Sequence, residues 1–323
     1  MKILITGISG FVARHFVEYL STTGDVHEVA GVYFRNKPNF TDFQFPNVDC
    51  HFYRLDLREK ISLNKLLLDF QPEYILHLAS QSSVAYSWIY PAEAIEENNS
   101  IFLNLIEQLR LSELKCRILS VGSSEEYGNV EEKDLPLVET HLASPVNPYG
   151  VSRAFQQMVS KIYCENYGLD IIHTRSFNHL GPHQTDRFVI SSFAKQVASE
   201  LKEGHKKITL SVGDVDVVRD FTDVRDVVKA YHLLLLSGKT CNVYNVCSGQ
   251  GFILKDIIAM IAKLTETRID WHSDGSNIRP SENKKIIGSY AKIKNETGWR
   301  PQIKLEQSLN DLIGYWTLSP SLV

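Results

Sequence analysis

Residues 2–20 constrain the fold most, because a strand pattern, a glycine turn and a helix pattern follow one another directly. Ile3-Leu4-Ile5 is apolar enough for a buried strand, and Gly7 and Gly10 come after it. Apolar side chains then recur at helical spacing, at Phe11, Val12, Phe16, Val17 and Leu20. With Ala13 in the place of a third glycine, the pattern is G-x-x-G-x-x-A. Such a pattern is found at the start of a phosphate-binding helix, and it is also found in an ordinary tight turn.

The phosphate-binding interpretation has a physical basis in the helix N-terminus. Free N–H groups and the positive end of the helix dipole attract a pyrophosphate, and glycine lets the backbone approach it closely. We therefore predict that Gly7, Gly10, Phe11 and Val12 hold a dinucleotide.

Strand and helix patterns alternate after this turn, which predicts an α/β fold with a doubly wound parallel sheet of the Rossmann type. Further strands are expected at residues 28–33, 51–55, 74–78, 116–121 and 170–175, and helices at 63–70, 91–111 and from Pro148 or Tyr149 onward. Beyond about residue 180 the alternation loosens, with helices at 189–203, 224–236, 254–264 and 305–316 and short extended pieces at 208–212 and 243–246. We expect a nucleotide-binding domain of residues 1–178, to which later segments return, and a smaller C-terminal α/β lobe, mainly residues 179–323, for the substrate.

Composition limits the class of protein. A net charge of −4 over 323 residues gives no basic field for nucleic acid or a membrane surface. The five cysteines are widely spaced and form no C-x-x-C pair, which favours reduced thiols in a cytoplasmic protein. No apolar run approaches the roughly 18 residues of a membrane-spanning helix. His179 and His183 have no carboxylate or cysteine in ligand register, so no metal site is expected.

The cofactor is predicted from the ends of three strands. An NAD site usually has a carboxylate after the second strand, whereas this chain has Arg35 and Lys37, which suit the 2′-phosphate of NADP(H). Solvated loop charges are the alternative, and NAD(H) remains the second choice. Asp56 is expected to accept from the adenine amino group, beside Leu57.

The end of the fourth strand, His77-Leu78-Ala79-Ser80, has small residues against which a cofactor can lie. We place Leu78 and Ala79 in the cofactor site and interpret His77 as a structural histidine, because it lies within an apolar strand.

Two further segments carry groups for proton and hydride chemistry. Residues 122–128 (GSSEEYG) follow the fifth strand, at the sheet edge where α/β proteins bind ligands. Tyr149 and Arg153 are four residues apart and share one helix face. A neighbouring cation lowers the pKa of a phenol from its ordinary value of about 10 and eases proton transfer. With Ser123 as a second donor, this set suits interconversion of an alcohol and a ketone.

The chain resembles the nucleotide-sugar branch of the extended short-chain dehydrogenase/reductases over its whole length. The stretches that carry this resemblance are GSSEEYG at 122–128, DIIHTRSFNHLGP at 170–182, RDFTDVRD at 219–226, VYNVCSG at 243–249, RPSE at 279–282 and TGWRP at 297–301. They are most similar to the reductases of GDP-4-keto-6-deoxy-D-mannose, which form GDP-D-rhamnose, and next to the GDP-mannose 4,6-dehydratases.

The resemblance implies roles for individual residues. Ser123 and Tyr149 would be catalytic, and Arg153 stands where the family usually has lysine. Substrate contacts would come from Ser83, Ser124, Glu125, Asn178, Arg219, Arg279 and Glu282, with the arginines on the diphosphate or nucleotide and Glu282 on the ribose. A salt bridge to Asp220 or Asp223 is the structural alternative for Arg219.

The resemblance also implies a function: NADPH-dependent reduction of the C4 ketone of a GDP-4-keto-6-deoxyhexose in deoxysugar nucleotide biosynthesis. Glu125 matches the catalytic carboxylate of the dehydratases, so a 4,6-dehydratase is an alternative, as is a C4 epimerase or dehydrogenase. Because arginine replaces lysine at position 153, a non-catalytic NADP-binding protein is the remaining hypothesis. Helices 91–111 and 149–167 would pair in a homodimer, as they do in this family.

Overall fold

The glycine turn joins the first strand of a central parallel sheet to the first helix. The computed structural model describes residues 1–38, 40, 45–273 and 283–319. Its strands are β1 (Lys2–Thr6), β2 (His27–Tyr33), β3 (Val48–Arg54), β4 (Tyr74–His77), β5 (Arg117–Val121), β6 (Asp170–Ser176), β7 (Asn178–Leu180), β8 (Lys207–Val212), β9 (Val218–Asp223), β10 (Val243–Val246), β11 (Gly251–Ile253) and β12 (Arg268–Ser273). Its helices are α1 (Phe11–Leu20), α2 (Lys60–Phe70), α3 (Val84–Ile89), α4 (Pro91–Ser112), α5 (Pro148–Tyr167), α6 (Val189–Lys202), α7 (Val224–Ser237), α8 (Leu254–Thr265), α9 (Ala291–Thr297) and α10 (Leu305–Leu318).

The central sheet has seven strands in the order β10-β6-β5-β4-β1-β2-β3, and neighbouring strands run parallel throughout. The strand order reverses at β1, which lies between β4 and β2. A crevice opens at such a reversal, outside the carboxyl ends of the strands. The predicted fold class, a doubly wound parallel sheet, is therefore confirmed.

Apolar clusters cover both faces of this sheet. On one face α1 and α7 pack together with side chains of β1 and β2, and on the other α2, α4 and α5 cover β4, β5 and β6. Strands that are buried on both faces read as continuous apolar runs, which explains the pattern Ile3-Leu4-Ile5. All three of these side chains are fully buried.

A third apolar cluster lies in the C-terminal part of the chain. Helices α6, α8 and α10 pack around β8 and β12, which form a two-stranded parallel sheet. Strands β11, β9 and β7 form a separate three-stranded sheet. The boundary between domains at residue 178 stays a prediction.

Two elements from the C-terminal part of the chain belong with the central sheet: a helix that covers it and a strand that joins it. The sequence places helix α7 among the elements of the C-terminal lobe, but its buried side chains, Val227, Tyr231 and Leu234 among them, pack with those of α1. Strand β10, expected only as a short extended piece, is the seventh strand of the sheet, beside β6. Among the described residues, no helix combines the length and apolarity needed to cross a membrane.

The turn after β1 gives a test of the fold. Gly7 has φ +74°, and a Cβ there would lie 2.8 Å from the backbone nitrogen of Ala79. Gly24 has φ +82°, and a Cβ there would meet no atom within 4 Å, so this glycine serves as the matched control. We expect Gly24→Ala to lower the free energy of unfolding by about 1–2 kcal/mol, the cost of the left-handed backbone alone. Gly7→Ala should lower the free energy of unfolding by a further ~1–3 kcal/mol, because the added Cβ overpacks the contact with Ala79.

Urea denaturation of both variants measures this difference, provided that the slope with denaturant is unchanged. Equal losses in the two variants would contradict the close approach of the turn to the end of β4.

Candidate active site

A cleft of about 1130 Å³ lies along the carboxyl ends of the central strands. The residues that the sequence predicts for the site and that line the cleft are Gly7, Gly10, Phe11, Val12, Arg35, Asp56, Leu57, Leu78, Ala79, Ser83, Ser123, Glu125, Tyr149, Arg153, Asn178 and Arg219. Ser124 does not line it, because the short 3₁₀ helix Ser124–Glu126 buries this side chain. Its expected contact with substrate stays a prediction. Arg279 and Glu282 lie outside the described residues.

The glycine turn forms one wall of the cleft. The amide of Gly7 donates to the Val32 carbonyl over 2.9 Å, and that of Gly10 donates to the Gly7 carbonyl over 3.0 Å. Gly10 is the N-cap of α1 and provides no side-chain cap. The amides of the first helical turn therefore have no partner from the cap and lie beside the cleft. An uncapped helix N-terminus fits the pyrophosphate of a dinucleotide.

The floor beneath this turn comes from the end of β4. Thr6 Oγ1 accepts from the amide of Ala79 at 3.1 Å and lies 2.9 Å from His77 Nδ1. Burial, with the nearby positive charge of Arg153, lowers the pKa of His77 to about 3. His77 is therefore neutral and hydrogen-bonded, which confirms its interpretation as a structural histidine.

Two arginines line the end of the cleft that is predicted to bind the adenosine. Arg35 is exposed, with Nη2 3.5 Å from Glu97 Oε1. Arg58, which the sequence analysis missed, also lines the cleft, whereas Lys37 does not. The Arg58 guanidinium contacts both carboxylate oxygens of Asp56 at 2.7–3.0 Å, and this pairing lowers the pKa of Asp56. Asp56 therefore holds Arg58 in a defined position beside the predicted adenosine site.

Ser123 is the N-cap of the 3₁₀ helix that follows β5. Its Oγ accepts from the amide of Glu125 at 3.2 Å, and its own amide donates to Glu126 Oε1 at 2.8 Å. Ser123 Oγ acts as an acceptor in this contact, and a hydroxyl also has one hydrogen of its own to donate, which can reach another oxygen atom. A Cβ at Gly122 would overlap the side chains of Glu126 and His173, so this position needs glycine.

Tyr149 lies in the first turn of α5, where it lines the cleft. Asn147 is the N-cap of α5, with Oδ1 accepting from the amide of Gly150 at 2.8 Å. Its Nδ2 donates to Glu125 Oε2 at 2.7 Å. Asn147 therefore fixes both the start of the tyrosine-bearing helix and the Glu125 carboxylate. The Asn-Pro pair is an N-cap signal that the sequence analysis could have used.

Arg153 is buried behind Tyr149. Its guanidinium carbon lies 5.0 Å from the centre of the Tyr149 ring. Nη1 donates to the Val121 carbonyl at 3.1 Å and to Gln156 Oε1 at 2.8 Å, and Nη2 donates to Ser80 Oγ. The cation is thus held next to the phenol by three separate parts of the fold.

The remaining predicted residues lie on the C-terminal side of the cleft. Asn178 and Arg219 both line it. Asp223 pairs with Arg225 at 2.7 Å, and Asp220 accepts from the amides of Ser248, Gly249 and Gly288. Burial raises the pKa of Asp220 to about 6 even though these donors favour its charged form.

The two histidines that were considered as metal ligands are engaged in ring contacts. His179 stacks on Phe11 with ring centroids 5.7 Å apart, and its Nδ1 lies 3.0 Å from the Phe177 carbonyl. His183 packs against Tyr315 at 4.6 Å. Phe11 and both histidines line the cleft near the glycine turn.

Comparison with known proteins decides the family. The model of the family described as GDP-mannose 4,6 dehydratase matches residues 4–312. The chain belongs to the GDP-mannose 4,6-dehydratase family. This confirms the resemblance to the nucleotide-sugar branch of the extended short-chain dehydrogenase/reductases. A GDP-6-deoxy-D-mannose reductase of Pseudomonas aeruginosa is 34% identical over 98% of this chain and 97% of that protein.

A further relative and a solved structure are also similar to this chain. A GDP-mannose 4,6-dehydratase of Yersinia enterocolitica is 26% identical over 97% of this chain and 92% of that protein. The structure of RMD from Pseudomonas aeruginosa complexed with NADPH is 33% identical in sequence to this chain, with a TM-score of 0.84. The match covers 98% of this chain and 98% of that chain. Relatives of this chain therefore include both reductases and dehydratases of GDP-sugars.

Proposed function

We propose that this protein is an NADPH-dependent reductase of the C4 ketone of a GDP-4-keto-6-deoxyhexose. The observation that carries the proposal is that Tyr149 and Ser123, on separate elements, line the same cleft as the glycine turn. The reductase is favoured over the dehydratase because the identity to the Pseudomonas aeruginosa reductase is higher, 34% against 26%, at nearly full coverage. The neighbour with NADPH bound supports the choice of cofactor.

The residues present fit this reaction. The glycine turn, with Gly7, Gly10 and the N-terminus of α1, would hold NADPH, which would supply the hydride for C4 of the sugar. Tyr149 donates its phenolic proton to the ketone oxygen, which becomes the hydroxyl group of the product. Ser123 donates its hydroxyl hydrogen to the same oxygen, while its Oγ accepts from the amide of Glu125. Arg153, 5.0 Å from the tyrosine ring, stabilises the phenolate until solvent returns a proton.

The nucleotide sugar would occupy the C-terminal side of the cleft. Asn178 would face the sugar and Arg219 the diphosphate, since a guanidinium fork matches phosphate oxygens. Ser83, whose Oγ caps α3 by accepting from the Tyr86 amide at 3.1 Å, also lines the cleft. The proposed C-terminal lobe, from about residue 179, would supply most of the contacts to the nucleotide.

A 4,6-dehydratase is the second candidate, because Glu125 lines the cleft with its carboxylate fixed by Asn147. A carboxylate beside a transient ketone can remove the C5 proton as a general base. In the reductase, Glu125 instead orients the sugar.

Incubation of the purified protein with two substrates separates these functions. We expect oxidation of NADPH with GDP-4-keto-6-deoxymannose, and no loss of water from GDP-mannose alone; the opposite result would identify a dehydratase. Tyr149→Phe should lower kcat by about 10²–10⁴-fold. The matched control is Tyr163→Phe, on the same helix but bonded to Glu107, which should keep kcat within a few-fold. Glu125→Gln should reduce the reductase rate far less than Tyr149→Phe does.

The two arginines at the adenosine end give a test of cofactor preference. We expect Arg35→Ala and Arg58→Ala each to raise KM for NADPH about tenfold, because each removes a charge-assisted contact to the 2′-phosphate. KM for NADH should change little, since NADH has no such phosphate. Arg54→Ala, at an exposed arginine that does not line the cleft, is the control. Parallel changes in KM for both cofactors would refute the assignment.

We also propose a homodimer formed through α4 and α5. Val151, Phe155, Met158 and Ile162 form an apolar stripe on α5, and three of them are 41–56% exposed. Leu103 on the adjacent α4 is 39% exposed. Covering such a stripe with its copy would form the apolar core of an isologous interface.

Light scattering after gel filtration tests the dimer. We expect the wild-type protein to elute as a dimer and Met158→Asp as a monomer, because burial of an unpaired carboxylate opposes association. Leu236→Asp, at a 46% exposed apolar residue of α7, should leave the dimer intact. A monomeric wild-type protein would rule the proposal out.

A further inference from the structure

A buried chain of hydrogen bonds runs behind the proposed catalytic residues, from Arg153 to Glu126. Gln156 begins it: its Oε1 accepts from Arg153 Nη1 at 2.8 Å, and its Nε2 donates to Ser120 Oγ at 2.7 Å. Ser120 Oγ lies 3.0 Å from His173 Nδ1, and His173 Nε2 lies 3.1 Å from Glu126 Oε1. All five side chains are at most 5% exposed.

The direction of every bond follows from the two ends. Arginine has only donors, so the oxygen of Gln156 must face Arg153 and its NH₂ group must face Ser120. At the other end, the Glu126 carboxylate has only acceptors, so His173 donates to it from Nε2. In the tautomer with its hydrogen on Nε2, His173 Nδ1 is an acceptor, so the Ser120 hydroxyl accepts from Gln156 and donates to Nδ1. The bonds point one way, from a buried cation to a buried anion, and bonds aligned in this way strengthen one another.

The far end of this hydrogen-bond chain reaches the other side of the active site. Glu126 Oε1, which accepts from His173, also accepts from the amide of Ser123 at 2.8 Å. The position of Arg153 beside Tyr149 and the position of Ser123 are therefore connected, and Gln156 is the side chain that joins the arginine to the other members.

The arrangement suits arginine and not lysine. The planar guanidinium reaches Gln156 and Val121 with Nη1 and Ser80 with Nη2, two directions that one ammonium nitrogen does not reproduce. We propose that Gln156 is a positioning residue matched to Arg153, so that arginine at this position is the working partner of Tyr149 and not an impaired lysine. This inference rests on the proposed reductase function.

A double-mutant cycle tests the pairing, with kcat, KM for the sugar nucleotide and Kd for NADPH measured for each protein. We expect Gln156→Leu and Arg153→Lys each to lower kcat about tenfold or more, through misplacement of the cation, with a much smaller change in KM. Each should also weaken NADPH binding, measured by fluorescence titration. The double variant should be no worse than Arg153→Lys alone, because the interaction is already lost.

Further variants keep the test decisive. Gln156→Glu retains the acceptor for Arg153 but loses the donor to Ser120, so it should keep more of the wild-type kcat than Gln156→Leu. Gln156→Met, which removes both polar groups from an unbranched side chain of similar length, replaces Gln156→Leu in the cycle if the leucine variant does not fold. Ser160→Ala, a buried polar residue of α5 whose Oγ donates to the Gln156 carbonyl, is the control and should retain wild-type kcat. Urea unfolding curves of all variants show whether a loss of kcat merely reflects a loss of folding stability.

The outcomes separate this inference from the function beneath it. Multiplicative losses in the double variant, a Gln156→Leu rate equal to that of Ser160→Ala, or a higher rate in Arg153→Lys would overturn the pairing. If the wild-type protein reduces no GDP-keto-sugar, the proposed function fails, and the NADPH Kd values alone then decide whether Arg153 and Gln156 are coupled.

Discussion

The site depends on how closely the turn after β1 lies against the end of β4. A Cβ at Gly7 would lie only 2.8 Å from the backbone nitrogen of Ala79, and the Gly7 amide is bonded to Val32 at the end of β2. Thr6 closes the remaining gap by accepting from the amide of Ala79. The ends of three neighbouring strands are thereby held together beneath the cleft. Gly7, Gly10 and Ala79 line the cleft there, and such small residues let a flat cofactor approach the backbone closely.

Charge inside the protein is the second constraint. Arg153 and Glu126 are both buried, and an isolated buried charge is strongly destabilising unless it is paired or hydrogen-bonded. Glu126 accepts from Ser123 and His173 and lies 3.4 Å from Arg175 Nε, while Arg153 donates to three oxygen acceptors. Both ions are therefore held in one place. In the proposed mechanism, that rigidity keeps the cation beside the phenol through the proton transfer.

Much of the fold was accessible from periodicity and helix-start signals. The helix expected at 91–111 is α4, because Pro91 at its first turn and the apolar spacing that ends near Leu109 both mark it. Strand β10 could not be placed, since a four-residue extended piece does not reveal which sheet it joins. The same limit applies to α3, which is too short for a periodic pattern.

Site residues that directly follow a strand or begin a helix were predicted from the sequence. Residues whose position depends on a tertiary contact were missed. Tyr149, Ser123 and the glycines sit at recognisable positions, and all of them line the cleft. No sequence pattern indicated that Arg58 would line the cleft, because its position is set by its contact with Asp56. Gln156 lies on α5 and His173 on β6, and these two elements pack against each other. A buried polar residue on one element is explained only by its partner on the other, and the sequence does not show which elements will pack together.

The arginine at position 153 shows why the contact matters more than the residue type. Considered alone, it breaks the Y-x-x-x-K pattern and suggests a weakened enzyme. In the structure, the larger cation is accommodated because Gln156, three residues further along α5, accepts from it and donates in turn to Ser120. A lysine would leave the Gln156 oxygen without its charged donor, and an unsatisfied buried acceptor destabilises the site that contains it. Position 153 therefore has to be interpreted together with position 156, and the pair favours a site built around arginine.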